Sequence, residues 1–166
     1  MENAHGTERV SFHRTGTMLV FLQGQDACGL YGSIVNGFLK EPVRFHGLGD
    51  LILRLDEICD WINCPRRVSE PRFFNGRMKK EFLESWNPHP EAEKESFLFG
   101  MDLNDYIKTF SAREVVTVYV EYRQNASLQG FVRGKITEEQ RVSFRSGLEL
   151  MRMFSMIKME NLQEEA

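Results

Sequence analysis

The sequence predicts an α+β protein made of two βββα units, in which antiparallel strands form the sheet or sheets and helices cover one face. Two observations predict this class. Two strands, a short third strand and an amphipathic helix follow one another over residues 17–62, and the same order recurs over residues 115–159. The 166-residue chain is 42% apolar and contains 13 Phe, which is enough for the core of one domain or two very small ones.

Residues of the same kind fall at equivalent places when the two halves are aligned. Asp50 and Glu149 coincide near the predicted helix starts, where the helix dipole favours a carboxylate. We therefore expect both halves to share one strand order, with each aligned Phe buried where its helix begins. Common ancestry of the halves is a hypothesis. The other aligned pairs are Gly32 with Gly130, Phe45 with Phe144, Val20 with Val118, Leu30 with Leu128, Val43 with Val142, Leu51 with Leu150, and Ile58 with Ile157.

The first unit is predicted to span residues 16–64, after a flexible N-terminus of residues 1–15. Met18 to Gln23 is rich in apolar residues and reads as a strand. Gly24-Gln25-Asp26 is typical of a turn, and Leu30 to Val35 predicts the second strand.

A helix and a connector follow. Apolar residues recur at helical spacing from Leu48 to Ile62, and a proline ends the pattern. Residues 65–112 are predicted to be a charged connector with short helices, because four prolines break any long element in them. The short helices are expected over Arg77–Trp86 and Leu103–Phe110, the second of them capped by Asp102.

The second unit is predicted to span residues 113–166. Glu114 to Tyr122 is dominated by Val, Thr and Tyr, which favour a strand. Leu128 to Val132 predicts the returning strand, and Arg141 to Phe144 predicts the third. The final helix is expected over about Ser146 to Leu162. It is apolar nearly all round, as is typical of a helix buried on several sides.

Composition and charge point to an ordinary cytoplasmic protein. The first residues lack the apolar segment of a signal peptide, and no apolar run approaches the roughly 20 residues that span a bilayer, so no membrane partner is expected. The formal net charge of −3 gives no global reason to expect nucleic acid. Cys28, Cys59 and Cys64 are an odd and sparse set, as expected of reduced thiols.

No catalytic or metal-binding motif is legible in the sequence. It contains no G-x-S-x-G, Walker loop, G-x-G-x-x-G or H-E-x-x-H. Cys59 and Cys64 lack a Cys-x-x-Cys partner and a His at ligand spacing, so they are expected in the core. A catalytic role is therefore not favoured, and no catalytic residue, metal or cofactor is assigned.

The charges of the connector are segregated along the chain. Its first half is basic and is interleaved with Phe73 and Phe74, which favours contact with nucleic acid or another polyanion. The alternative is that the glutamates that follow neutralise this half. We expect residues 65–96 to lie outside the repeated core, with their arginines exposed. The candidate polyanion contacts are Arg66, Arg67, Arg72, Arg77, Lys79 and Lys80.

The final helix carries more apolar surface than one stripe needs. Unbranched Met side chains adapt to irregular partners and are frequent at binding surfaces. This surplus predicts a homodimer or a protein partner. The alternative is that the connector folds back and covers the surplus with Trp86, Phe97 and Phe99. The candidate interface residues are Leu148, Met153, Met156 and Met159.

The segment from Asn125 to Gly130 has the form N-x-S-x-x-G. It resembles the second signature of PilZ domains, which are receptors for cyclic di-GMP. The resemblance implies a cyclic-dinucleotide site in which upstream arginines clamp the phosphates and guanines. The arginines here, Arg66, Arg67 and Arg72, do not have the spacing of that family's Arg-x-x-x-Arg loop. The alternative is a strand-turn-strand with Asn125 in the left-handed conformation and Gly130 in a tight pleat.

A second resemblance covers more of the chain. The stretches 118–130 and 144–150, with 45–52 as a companion block, look like a group of small uncharacterised proteins from gut Firmicutes that carry a "YRQNAxxQG…FRSxLEL" signature. This resemblance implies a bacterial source and no activity. The order of three strands and a helix is also similar to HicB-like antitoxin domains and double-stranded-RNA-binding-like folds, an analogy of fold that carries no function.

These observations predict a non-catalytic cytoplasmic binding or regulatory module that acts by protein–protein interaction. The alternative is a nucleic-acid or cyclic-dinucleotide binding protein that uses the Arg66–Arg72 basic segment and the Asn125–Gly130 turn. An enzyme assembled from residues distant in sequence comes third.

Overall fold

A single antiparallel sheet organises the molecule. The computed structural model describes residues 16–85 and 102–159, and in these residues six strands pair in the order β3-β2-β1-β4-β5-β6. The predicted α+β class is therefore confirmed, whereas the predicted flexible N-terminus lies outside the described residues. The strands are β1 (Gly16–Asp26), β2 (Gly29–Val35), β3 (Val43–His46), β4 (Glu114–Tyr122), β5 (Gln129–Gly134) and β6 (Val142–Phe144).

Four helices accompany the sheet in the described residues. They are α1 (Leu48–Trp61), α2 (Gly76–Ser85), α3 (Leu103–Thr109) and α4 (Gly147–Ser155). The Asp102 carboxylate caps α3 as predicted, because it accepts a hydrogen bond from the Asn104 N–H at 3.1 Å. The last helix is shorter than predicted: after Ser155 the chain leaves the helical path and inserts Ile157 and Met159 into the core.

The two halves of the sheet have the same strand order. β1 and β4 pair at the centre, and each is followed outward by the second and third strands of its own half. Phe45 and Phe144 are both buried, as expected, and each pairs with the glycine at the equivalent place, Gly32 or Gly130. These equivalences are what a duplication would produce, and common ancestry stays a hypothesis.

The main core lies between one face of the sheet and helices α1 and α4. Alternate residues of the central strands, such as Val20 and Val118, contribute to it. From the helices come the aligned pair Leu51 and Leu150, which are fully buried. Because both helices cover the same face, the predicted shared face is confirmed for them.

Helix α3, which belongs to the connector and to neither βββα unit, lies against the opposite face of the sheet. Tyr106 of α3 packs with Leu19, Phe21 and Val35, whose side chains alternate with those of the main core. β1 is therefore covered on both faces, which explains its continuous apolar run from Met18 to Leu22. Burial raises the pKa of Tyr106 to about 12.

The first turn also lies later than predicted. β1 continues through Gly24 to Asp26, with a register irregularity after Leu22. The chain therefore reverses direction at Ala27 and Cys28, just before Gly29. A Cβ on Gly24 would collide with the Tyr31 ring, so this glycine serves a close cross-strand contact and not a turn.

Candidate functional site

The beginning of the connector packs against the second unit. Arg67 and Arg123 form an isolated parallel bridge, and the Val68 N–H donates to the Arg123 carbonyl at 3.3 Å. Directly after Val68, the Ser69 hydroxyl accepts a hydrogen bond from the Ala126 N–H at 3.2 Å. This stretch therefore packs against the second unit, but none of residues 65–85 belongs to the hydrophobic core, as expected. Residues 86–96 lie outside the described residues.

Two arginines and two aspartates form a buried ion cluster at this junction. The Arg67 guanidinium donates in parallel to the two carboxylate oxygens of Asp60, at 2.9 and 2.8 Å, and also donates to Asp56. Arg123 donates to Asp60 at 2.5 Å and to the Pro65 carbonyl at 2.8 Å. Only 7% of the Arg67 side chain and 2% of the Arg123 side chain are exposed. The cluster thus joins α1, the connector and the end of β4.

This cluster removes Arg67 from the candidate polyanion contacts. Its guanidinium is desolvated, and the charges of two arginines and two aspartates balance. Withdrawing Arg67 to bind a ligand would leave buried carboxylates without compensation, which is costly. The sequence analysis placed Arg67 with its exposed neighbours and missed Arg123, because the local charge pattern does not show which arginines the fold buries.

The other five candidate contacts are exposed, and three of them form ion pairs. Arg77 pairs with Glu81 at 3.6 Å, Lys79 with Glu70 at 3.0 Å, and Lys80 with Glu84 at 3.7 Å. Arg66 and Arg72 are exposed and have no carboxylate partner among residues 16–85 and 102–159. Within the described residues, two of the six candidate cations therefore form no ion pair.

Helix α2 presents its side chains to solvent. It buries none of its residues, and Phe74, just before it, is 98% exposed. The helix is attached through Phe82, whose ring packs at a tilt against Phe73, with ring centroids 5.0 Å apart, and lies 5.7 Å from the Arg67 guanidinium. We call the exposed apolar side chains of the connector, of α2 and of the adjoining strand end the connector surface; they are Val68, Phe74, Met78, Leu83 and Tyr122.

The Asn125–Gly130 turn is held by its own contacts. Asn125 and Ala126 both have φ of 53°, in the left-handed region. The Ser127 hydroxyl accepts a hydrogen bond from the Gly147 N–H at 3.0 Å, at the start of α4. A Cβ on Gly130 would collide with the Tyr119 carbonyl oxygen. The residues of the PilZ-like motif thus have structural roles here, in agreement with the strand-turn-strand alternative.

The structure retains only part of the predicted interface on the final helix. Met159 is 2% exposed and belongs to the main core, so its assignment to an interface is wrong. Met153 is half-buried and packs against the same core. Leu148 and Met156 are exposed, the latter by 78%. The residues proposed to cover this helix, Trp86, Phe97 and Phe99, lie outside the described residues.

Three side chains at one end of the sheet could hold a metal ion, and among the described residues they are the one such group. Asp26, Cys28 and His46 each bring a ligand atom within 4.8 Å of the others. The other two cysteines do not join them: Cys59 is buried, which raises the pKa of its thiol, and Cys64 is half-buried. The sequence analysis missed this group because β2 and most of β3 lie between His46 and the turn that carries Cys28.

Comparison with known proteins yields no relative. No protein-family model matches the chain, and no curated protein or solved structure matches it significantly. In the part of the chain that the structure describes, every helix is too short or too polar to cross a membrane. Function is therefore inferred from the chain's own geometry.

Proposed function

We propose that this protein is a non-catalytic binding module whose connector surface docks an acidic segment of a partner protein. The observation that carries the proposal is the full exposure of Phe74 beside a helix that buries none of its residues. An aromatic ring left in water forgoes about 1.5–3 kcal/mol of burial free energy, and such rings are frequent anchors of protein interfaces.

The attachment of α2 supports a preformed docking site. Its contacts run through Phe82, which packs on Phe73 and beneath the Arg67 guanidinium, and Arg67 is held in the buried ion cluster. The helix is thereby oriented from its inner side while Phe74, Met78 and Leu83 stay exposed. A surface ordered before binding loses less conformational entropy when a partner docks.

Charge supports an acidic partner. Arg66 and Arg72 lie on the same connector as Phe74 and have no carboxylate partner among the described residues. A carboxylate on the partner can accept two parallel hydrogen bonds from a guanidinium, which adds orientation to the apolar contact.

The alternative, a nucleic-acid or cyclic-dinucleotide ligand, has less support. With two arginines that lack an ion pair among the described residues, binding to a duplex would release few counterions, and the affinity would fall only about tenfold between 50 and 200 mM salt. Such a small electrostatic contribution implies weak binding. For a PilZ-like site, Arg67 is engaged with Asp60 and Asp56, and the turn residues with the fold.

A second candidate is a homodimer through helix α4. The exposure of Leu148 and Met156 on this helix favours it, and these two residues are all that remains of the larger predicted stripe. The two candidates use different surfaces, so one set of variants separates them.

The test is affinity purification from the native host with wild-type protein and with Phe74→Ser, Arg72→Glu, Met156→Glu and Leu53→Ser. Leu53 is an exposed apolar residue of α1 and serves as the matched control. We expect one acidic protein, captured in stoichiometric amount, to be lost with Phe74→Ser and Arg72→Glu and retained with Leu53→Ser. Direct titration of that protein should then show an affinity at least about tenfold lower for Phe74→Ser.

Three results would contradict the proposal. Equal capture by wild type and Phe74→Ser would show that the connector surface is not the docking site. Nucleic acid that co-purifies and is removed by high salt would favour the polyanion alternative. A wild-type dimer in sedimentation that Met156→Glu dissociates, without any captured protein, would favour the homodimer.

A further inference from the structure

We propose that Asp26, Cys28 and His46 form a binding site for one divalent transition-metal ion of the zinc type. The site lies at one end of the sheet and shares no residue with the connector surface, so it is independent of the function proposed above. It brings together a carboxylate oxygen, a thiol sulfur and an imidazole nitrogen. These three donor types are the ones that proteins use for zinc.

The distances between the donors are close to those of a tetrahedral site. The Nε2 atom of His46 lies 2.8 and 3.0 Å from the two carboxylate oxygens of Asp26, and the three ligand atoms lie within 4.8 Å of one another. Metal–ligand bonds of about 2.0–2.3 Å place neighbouring ligand atoms about 3.3–3.6 Å apart. The Asp26–His46 pair would have to open by about half an ångström, and Cys28 would have to approach by no more than about 1.3 Å.

The backbone holds the three donors at this place. Asp26 ends β1 and pairs with Gly29 at the start of β2, so Cys28 lies in the two-residue turn between them. The Asp26 carboxylate accepts a hydrogen bond from the Cys28 N–H at 2.8 Å, which fixes its direction. His46 ends β3, where it pairs with Tyr31; the two rings pack in a T-shaped arrangement with their centroids 5.6 Å apart.

The second half of the molecule shows that the fold does not require these residue types. In the alignment of the halves, Asp26 and Cys28 correspond to Gln124 and Ala126, and His46 corresponds to Arg145. The strand order around these residues is the same, yet neither an imidazole nor a thiol is present. The ligand set is therefore a feature of the first half alone.

The chemistry of the donors selects the class of ion. Thiolate and imidazole favour zinc-type ions, whereas magnesium and calcium prefer oxygen ligands. Three protein ligands leave a fourth position open, and the exposure of the His46 and Asp26 side chains lets water or a ligand from another molecule reach it.

The test is calorimetric titration of the full chain with Zn²⁺, in wild type and in Cys28→Ala and His46→Arg. Both substitutions introduce the residue that the second half carries at the equivalent place, so both variants are expected to fold. We expect one Zn²⁺ per chain in the wild type and an affinity at least about tenfold lower in each variant. Cys64→Ser, which removes a half-buried thiol away from the site, should bind as the wild type does.

Cobalt gives a second readout, because a thiolate bound to Co²⁺ produces a charge-transfer absorption in the near ultraviolet. This band should be present in the wild type and in Cys64→Ser and absent in Cys28→Ala.

Zn²⁺ affinity that is unchanged in Cys28→Ala or His46→Arg would overturn the site. A stoichiometry of half an equivalent of metal per chain would also overturn it, because it indicates an ion that bridges two molecules. If Cys28→Ala fails to fold, Cys28→Ser carries the same test.

Discussion

Arg66 and Arg67 are neighbours in the chain, but the fold places them in opposite environments. Arg66 is exposed, whereas Arg67 reaches into the cluster with Asp56, Asp60 and Arg123. Local charge patterns treat the two arginines alike, and only the docking of the connector on β4 separates them. At the scale of the residue, Arg67 thus belongs to the buried cluster, whereas its neighbour Arg66 is exposed on the proposed docking side.

The pair provides a matched test of the cluster. Arg67→Ala should lower the free energy of unfolding by about 3–5 kcal/mol, because it leaves the buried Asp60 carboxylate partly uncompensated. Arg66→Ala should change it by less than about 0.5 kcal/mol, as expected of an exposed charge. Chemical denaturation of both variants checks this. Equal, small effects would show that the cluster adds nothing to stability.

Glu114 is a buried carboxylate at the start of β4, and its burial raises its pKa. Such a group stabilises the fold fully below the ordinary pKa of about 4.3, and this contribution is lost as the pH rises through the raised folded-state pKa. Its oxygen accepts a hydrogen bond from the Val115 N–H at 3.0 Å, which an amide oxygen can replace.

Glu114→Gln should therefore raise the melting temperature above the raised pKa of Glu114, where the wild type has lost this contribution. The gain should shrink on acidification and vanish by about pH 4, where both side chains are neutral. Thermal melts at a series of pH values measure this, with Glu121→Gln on the exposed end of the same strand as the control. A gain that is largest at acid pH would contradict the assignment.

At the scale of the element, glycines decide where strands can approach one another. Gly130 of β5 faces the Tyr119 carbonyl of β4, and Gly32 of β2 faces the Phe21 carbonyl of β1. In each case a Cβ would collide with backbone that cannot move aside. Gly49 in α1 differs, because a Cβ there would meet nothing within 4 Å.

Alanine substitutions should accordingly have opposite effects at these places. Gly130→Ala should destabilise the protein by about 1–3 kcal/mol, since the sheet must distort to admit the methyl group. Gly49→Ala should stabilise it by about 0.5–1 kcal/mol, because alanine loses less backbone entropy in a helix. Urea denaturation of the two variants and the wild type measures these changes in the free energy of unfolding. A neutral Gly130→Ala would mean that the close approach is not needed.

At the scale of the whole molecule, one ion cluster connects parts that the sequence separates widely. Asp56 and Asp60 come from the first unit, Arg67 from the connector, and Arg123 from the second unit. The same arrangement sets the position of α2, because Arg67 also lies over Phe82. Arg67 therefore connects the buried ion cluster to the helix that carries part of the proposed docking surface.

The sequence by itself determined the elements and their order. Side-chain periodicity is local, so it predicted β4 to the residue, the extent of α1 and the cap at Asp102. The aligned Gly32 and Gly130 and the aligned phenylalanines also indicated the common strand order of the halves. These predictions succeeded because each depends on residues that are neighbours in the chain.

The tertiary structure alone decided which side chains meet. The burial of Arg67 and Met159, the position of α3 on the second face, and the convergence of Asp26, Cys28 and His46 depend on contacts between residues distant in sequence. Local patterns carry no information on such contacts, since the same charge or apolar stripe can face solvent or core. The physical reason is that the desolvation and pairing of a side chain are properties of its neighbours in space.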